Sequence, residues 1–228
     1  MSKQKKIYIF IGPPGSGKGS LSVLCVQHLG WKQISAGSLC RREIRCGSEL
    51  GKQIDFTIKS GKLVPDGLIA RMVEGVLQEQ MITTARPIIL DGFPRTVAQA
   101  QELDAVLSKE TFAEASLVIV RLCISDDIIL KRLLSRLICS NEACQAVYST
   151  MDVSLMPRQA MVCDWCSAVL IKRDDDELIV IRERLKQYHD SEQSLVAYLR
   201  RKDYVLHEFS VVQPLNEIFE KFKHAVDV

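Results

Sequence analysis

No run of apolar residues in this chain of 228 approaches the ~18 needed to cross a bilayer, which excludes a membrane span. Charge of one sign is missing as well. The formal net charge is +2 and the basic residues are dispersed, which leaves no broad surface for nucleic acid or for a membrane. No signal peptide is expected at the basic start MSKQKK, because the apolar run behind it, IYIFI, is only five residues and stops at Gly12. The expectation is a soluble, cytoplasmic chain. No internal repeat or low-complexity tract is visible. Eight cysteines are too dilute at this length for a secreted disulfide scaffold. Apolar residues, at 47%, are abundant enough for the core of one large domain, or of a core with insertions.

The first pattern with chemical content is GPPGSGKGS, Gly12 to Ser20. Gly12, Gly17 and Lys18 fit the phosphate-binding G-x-x-x-x-G-K-[ST], but Gly19 follows the lysine and the hydroxyl arrives one residue late, at Ser20. Glycine spacing alone would arise about once by chance in a chain of this length. Context decides. KKIYIFI before the loop reads as a strand buried on both faces. LSVLCVQHL after it places Leu21, Leu24, Cys25 and Leu29 on one helical face. Strand, glycine loop and helix in that order aim backbone N–H groups at an anion.

Further along, Lys32–Ser35 reads as a short strand. Residues 37–60 read as two helices punctuated by Gly47 and Gly51, and Pro65 and Asp66 as the start of another. PIILDGFPRT is a strand that breaks into a polar loop, AQAQELDAVL a helix, and SLVIVRLCI a long strand. DDIILKRLLSRL reads as a helix that carries Arg132 and Arg136 on one face, four residues apart. The long helix beginning at DDDELIVIRERL has Arg173 at its start and Arg184 eleven residues on, with acids in its first turn. YVLHEF is a last strand and PLNEIFEKFKHAV a last helix. This alternation predicts a doubly wound parallel α/β sheet with its site at the strand C-termini. The alternation lapses between about Ile138 and Arg173, where a small module is inserted.

At the end of the second buried strand, Asp91 can hold a magnesium ion or its water shell, and Arg95 offers a planar fork to a phosphate. The ordered set GPPGSGKGS, ISAGSLCR, GSELGK, GKLVPD, DGFPRTVAQAQ and KRDD…RERL resembles the adenylate kinase family over nearly the whole chain. Nucleoside monophosphate kinases resemble one another in G-x-P-G-x-G-K-G-[ST], so Gly19 belongs in this loop. The resemblance implies a P-loop core over 1–34, 65–136 and 175–228, an AMP-binding helical insert over 35–64, and a lid over 137–174. It implies reversible transfer from MgATP to AMP, giving two ADP, by a cytoplasmic monomer with no nucleic-acid or membrane partner.

For ATP, the resemblance implies Gly15, Ser16, Gly17, Lys18, Gly19 and Ser20 around the phosphates. Arg132 would stack on the base, with Val147, Tyr148 and Gln213 nearby. For AMP it implies Ala36, Arg41, Lys62, Leu63, Val64, then Gly92, Phe93, Pro94 and Arg95, with Gln99 facing the adenine edge. Arg136, Arg173 and Arg184 would converge on the phosphates, Asp91 would attend the magnesium, and Asp174 and Asp175 would orient the arginines. Such a division suits phosphoryl transfer, which asks the protein for positioning and charge neutralisation.

Cys139, Cys144, Cys163 and Cys166 form two close pairs, C-x4-C and C-x2-C, 18 residues apart. They suit a structural zinc ion in a lid too short to have much core of its own. The other reading makes them packing residues in a lid held by apolar contacts around Val147, Tyr148 and Leu170. Cys25, Cys40, Cys46 and Cys123 read as small core or near-surface thiols. Departures from the family pattern are Ser38 for an acid, Leu137 for a second arginine, Ser149 for a histidine, Gln145 and Ser167 for glycines after the cysteine pairs, and FSVVQP without its acid and glycine. Two rivals remain: a UMP/CMP kinase, since Ala36 occurs there too, and a non-catalytic nucleotide-binding protein whose zinc ribbon grips a partner.

Overall fold

The structure is a computed structural model and describes residues 5–113, 115–141, 144, 146–202 and 204–228. Met1–Gln4 of the basic start, and Gln145, lie outside the described residues. The first strand, β1 (Lys5–Ile11), pairs in parallel with β3 (Ile88–Asp91) on one side and β4 (Ala115–Cys123) on the other. Central placement explains its continuous apolar run. Ile7, Ile9 and Ile11 enter one core cluster, Tyr8 and Phe10 the other, because successive side chains of a strand point to opposite faces. With β2 (Lys32–Ser35) and β8 (Val205–Ser210) at the edges, the sheet order is β2-β3-β1-β4-β8, all parallel.

Helices cover both faces. On the face of Ile7 and Ile9 lie α2 (Ala36–Arg45), α3 (Glu49–Lys59), α4 (Asp66–Thr83), α5 (Val97–Leu107) and part of α7 (Leu178–Arg201). On the face of Tyr8 and Phe10 lie α1 (Lys18–Leu29) and α8 (Leu215–Ala225), through Leu21, Cys25, Ile218 and Phe222. The buried Leu21, Ile218 and Phe222 side chains each contribute roughly 1.5–3 kcal/mol by leaving water. Helix starts are local: Ser48 Oγ accepts from Gly51 N at 2.9 Å and Thr96 Oγ1 from Gln99 N at 3.1 Å. Among the described residues, no helix is long and apolar enough to cross a membrane.

Between α6 (Asp126–Leu134) and α7 the chain builds a second, antiparallel sheet of β5 (Arg136–Cys139), β6 (Val147–Ser149) and β7 (Leu170–Ile171), in the order β6-β5-β7. Leu137, Cys139, Ala146, Tyr148, Cys163 and Leu170 form its own small core.

Three sequence expectations are corrected here. Gly51 does not break a helix but lies inside α3, where a Cβ would stand 2.4 Å from Glu43 O, so glycine is there to let α3 lie against α2. Arg136 is not on the helix of Arg132. That helix ends at Leu134, and Arg136 opens β5, whose alternate residues Leu137 and Cys139 turn into the small core. Arg173 likewise precedes α7, which begins only at Leu178, so the acids 174–177 form the approach to the helix rather than its first turn.

Candidate active site

All the parallel strands end at one edge of the sheet, and the loops there wall a cavity of about 640 Å³. The Gly12–Gly17 loop forms its floor. Gly17 sits at φ 93°, a left-handed conformation, and a Cβ there would meet nothing within 4 Å, so the space in front of it is open to a ligand. Lys18 folds back over the loop: Nζ donates to Gly12 O at 2.7 Å, Pro13 O at 2.8 Å and Ser16 Oγ at 3.3 Å. Burial pushes its pKa from 10.5 down to about 7, with Asp91 opposing and Arg95, Arg184 and Arg136 reinforcing the shift.

Asp91 ends β3 and its Oδ2 accepts from Gln33 Nε2 at 3.2 Å. The same oxygen is 3.6 Å from where a Cβ on Gly19 would stand, which puts a hard oxygen ligand beside the loop. A carboxylate so placed fits a magnesium ion that keeps most of its waters. Arg95 Nε donates to Gly92 O at 2.9 Å, and Arg41 Nη2 to Ser38 Oγ at 3.0 Å, so the serine that replaces an acid still receives that arginine.

The basic residues around the opening are held by a few acids. Arg136 donates twice to Asp176, from Nε at 2.8 Å and Nη2 at 2.6 Å, and the Asp176 side chain is only 4% exposed. Arg184 Nη1 lies 2.9 Å from Asp175 Oδ2 and donates to Asp175 O at 3.0 Å. The carboxylates that orient the arginines are thus Asp175 and Asp176; Asp174 is exposed and lies near enough to act on Lys59. Arg173 differs from these. Its Nε is buried and has no acceptor in the protein. Burial and the nearby Arg136 and Arg41 push its pKa down, Asp175 and Asp176 only partly offset this, and the guanidinium keeps its charge. Such a group calls for an anion from outside the protein.

Of the residues expected around ATP, Gly15 to Ser20, Arg132, Arg136, Val147, Tyr148 and Gln213 line the cavity. Arg132 Nη2 donates to Val211 O at 2.8 Å, and Gln213 Oε1 is buried without a partner. Tyr148 also belongs to the small core, its hydroxyl 3.5 Å from Cys163 Sγ. Of those expected around AMP, Arg41, Lys62, Leu63, Gly92, Pro94 and Arg95 line the cavity, as do Arg173 and Arg184. Ala36, Val64, Phe93 and Gln99 are buried and do not.

Sequence reasoning missed Tyr188 and Glu192, which line the wall from α7, and Asp176, which no spacing separates from its two acidic neighbours. It also missed a hydroxyl pair. Ser149, 6% exposed, meets Ser135 Oγ at 3.0 Å and accepts from Met151 N at 3.1 Å and Asp152 N at 3.0 Å, so at this position the serine ties β6 to the end of α6.

The four lid cysteines come together, their sulfurs all within 4.8 Å of one another. Cys139 and Cys166 are 3.4 Å apart, Cys144 and Cys163 3.6 Å. A tetrahedron of sulfurs ~2.3 Å from zinc has edges of about 3.8 Å, so the set fits that ion with small adjustments. Although burial raises the Cys163 thiol, hydrogen bonds from Tyr148 and from the Trp165 and Cys166 backbone outweigh it and hold the thiol down.

The family described as adenylate kinase matches residues 10–204. Among curated proteins, the chain is similar to the adenylate kinase of Thermosipho melanesiensis, 36% identical over 195 residues, covering 86% of this chain and 87% of the relative. It is similar also to that of Archaeoglobus fulgidus, 37% identical over 194 residues with 85% and 86% covered, and to that of Methanosarcina mazei, 33% identical over 215 residues with 94% and 95% covered.

Proposed function

The chain belongs to the adenylate kinase family and moves a phosphoryl group between ATP and AMP, and from that premise we propose how its residues divide the work. The P-loop, Gly15 to Ser20, wraps the ATP phosphates, with Lys18 on the group that transfers. Arg132, Val147, Tyr148 and Gln213 receive the ATP base. Ala36, Arg41, Lys62 to Val64, Gly92 to Arg95 and Gln99 receive AMP. Arg136, Arg173 and Arg184 gather around the phosphates that exchange. Asp91 would hold a magnesium ion or its water shell; the ion, when bound with ATP, shields the charge between phosphates.

The single observation that carries this division is the buried, unpartnered Nε of Arg173 among other cations. A phosphate oxygen supplies its acceptor and cancels the repulsion, and it does so most strongly where charge builds up in transfer. The chain does no covalent work. It aligns donor and acceptor, excludes water as a competing acceptor, and holds fixed charges on the equatorial oxygens.

The core spans 1–34, 65–136 and 175–228, the AMP insert 35–64 and the lid 137–174. The lid cysteines hold one structural zinc, a reading supported by their sulfur separations. The cysteines outside that cluster, Cys25, Cys40, Cys46 and Cys123, are unbridged thiols, in keeping with a reducing compartment such as the cytoplasm. A monomer is in keeping with a cavity lined by described residues of a single chain, and small nucleotides are the partners this reading requires.

The test is Arg173→Ala in a coupled assay with AMP, UMP, CMP and GMP as acceptors, with metal content measured on the same preparation. AMP is the expected acceptor, with about one zinc per chain. The variant should lose about 10²–10³ in kcat while its ligand-free stability is unchanged or higher, because a buried cation among cations has been removed. Near-normal turnover would refute the assignment.

A further inference from the structure

Two hydrogen bonds fix the Gln99 carboxamide from both ends. The backbone N–H of Arg95 donates to Oε1 at 2.7 Å, and Nε2 donates to Asp66 Oδ1 at 2.8 Å. Neither partner is ambiguous. A backbone N–H only donates and a carboxylate only accepts, so the amide has one orientation here. After these bonds Gln99 retains one lone pair on Oε1 and one N–H on Nε2. Asp66, which reads in the sequence as a helix start signal, is the first residue of α4, and it reaches across 33 residues of sequence to α5 to make this contact.

We propose that Asp66 is a positioning residue for acceptor choice: it holds the Gln99 amide in the orientation that accepts a base carrying an exocyclic amine beside a ring nitrogen acceptor. Adenine and cytosine carry that pattern; hypoxanthine, guanine and uracil carry the reverse, an oxo group beside a ring N–H. Serving the second group requires the amide to turn over, which would set Oε1 against the Asp66 carboxylate and Nε2 against the Arg95 N–H. A site built in this way rejects a mispaired base because polar groups would be left facing like groups. The device does not separate AMP from CMP, which differ in size. It does separate both from UMP and GMP. The proposal rests on the reading of Gln99 as the residue that meets the acceptor base. Gln99 is 2% exposed, and Arg95, four residues before it, lines the cavity.

The cleanest probe is a pair of acceptors that differ only in this pattern, AMP against IMP, with CMP against UMP as a second pair. Initial rates are to be measured with full-length protein carrying no substitution, with Asp66→Asn, which keeps the shape but not the obligate acceptor, and with Gln99→Met. The unsubstituted protein is expected to favour AMP over IMP by at least a hundredfold in kcat/KM. In Asp66→Asn that ratio should fall about tenfold or more, chiefly through KM for the two acceptors, with KM for MgATP unchanged. A general loss of packing would lower both acceptors alike and leave the ratio in place. A ratio that collapses in Gln99→Met but stays within twofold in Asp66→Asn overturns the orienting role alone. A ratio unchanged in Gln99→Met, or no preference in the unsubstituted protein, overturns the reading of Gln99 and the proposal with it. Thermal unfolding of each variant shows that the proteins compared are folded.

Discussion

Binding of MgATP at pH 8 is expected to draw close to one proton from solution, taken up by Lys18. In the nucleotide-free protein its ammonium rests on Gly12 O, Pro13 O and Ser16 Oγ, yet burial lowers its pKa to about 7, further than Asp91 can restore. At pH 8 about a tenth of the molecules then carry the charge. A polyphosphate beside Nζ favours the ammonium strongly, so binding should take up about 0.9 proton per nucleotide. Phosphate groups are already ionised at that pH and add little. The assay is calorimetric titration with a non-hydrolysable MgATP analogue in buffers of different ionisation enthalpy, whose slope counts protons. Uptake should decline as the pH is lowered through 7, where the lysine is charged before binding as well as after it. A second consequence concerns stability. Between about pH 7 and the ordinary lysine value of 10.5, the unfolded chain holds a proton that the folded chain has released, so the ligand-free protein gains stability as pH rises across that window, by at most about 5 kcal/mol. Lys18→Met should remove both the slope and the uptake. Undiminished uptake in Lys18→Met, or none in the unsubstituted protein at pH 8, would refute the reasoning.

Asp176→Asn weakens the bidentate hold on Arg136 without emptying the site. Loss of one charge from a buried pair should cost about 3 kcal/mol in urea unfolding and lower kcat more than tenfold, and stability kept within 0.5 kcal/mol would count against that pair as a support. Ser167 takes φ 61° in the turn after Cys166, a conformation that favours glycine. Ser167→Gly should therefore stabilise the lid by about 1 kcal/mol, read as slower hydrogen exchange in residues 136–171 at unchanged metal content, and faster exchange there would refute it.

The phosphate loop was readable because its chemistry is local: glycines, a lysine and a hydroxyl lie within nine residues, between a strand and a helix that each show their own period. DGFPR was readable for a similar reason, charges appearing where a buried strand ends. What escaped was decided at a distance or over too few residues. The period-two pattern that moves Arg136 from a helix to a strand lasts four residues, Arg136 to Cys139, and a helical reading absorbs it. Choosing Asp176 among three adjacent acids depends on where α7 starts, and that start is set by packing of Ile181 and Leu185 against α6. The Asp66–Gln99 bond joins two helices that nothing in either segment pairs. Ser149 looks like a loss when set beside a family pattern, and its use appears only once Ser135 is brought beside it.

Among the described residues the cavity wall carries eight basic and four acidic side chains, an excess of four positive charges in a chain whose formal total is +2. The rest of the molecule therefore has a formal charge of −2. The cleft wall is thus more positive than the near-neutral total suggests. Nucleotides are drawn in by this excess, so their rate of arrival should fall with ionic strength more steeply than a net charge of +2 implies. A metal–triphosphate and a monophosphate bring about two negative charges each, which offsets the basic excess of the cleft wall and leaves the whole complex negative. Each turnover thus carries the molecule from one sign of net charge to the other and back, and the cations that repel one another in the empty cleft come to rest together only while the phosphates lie between them.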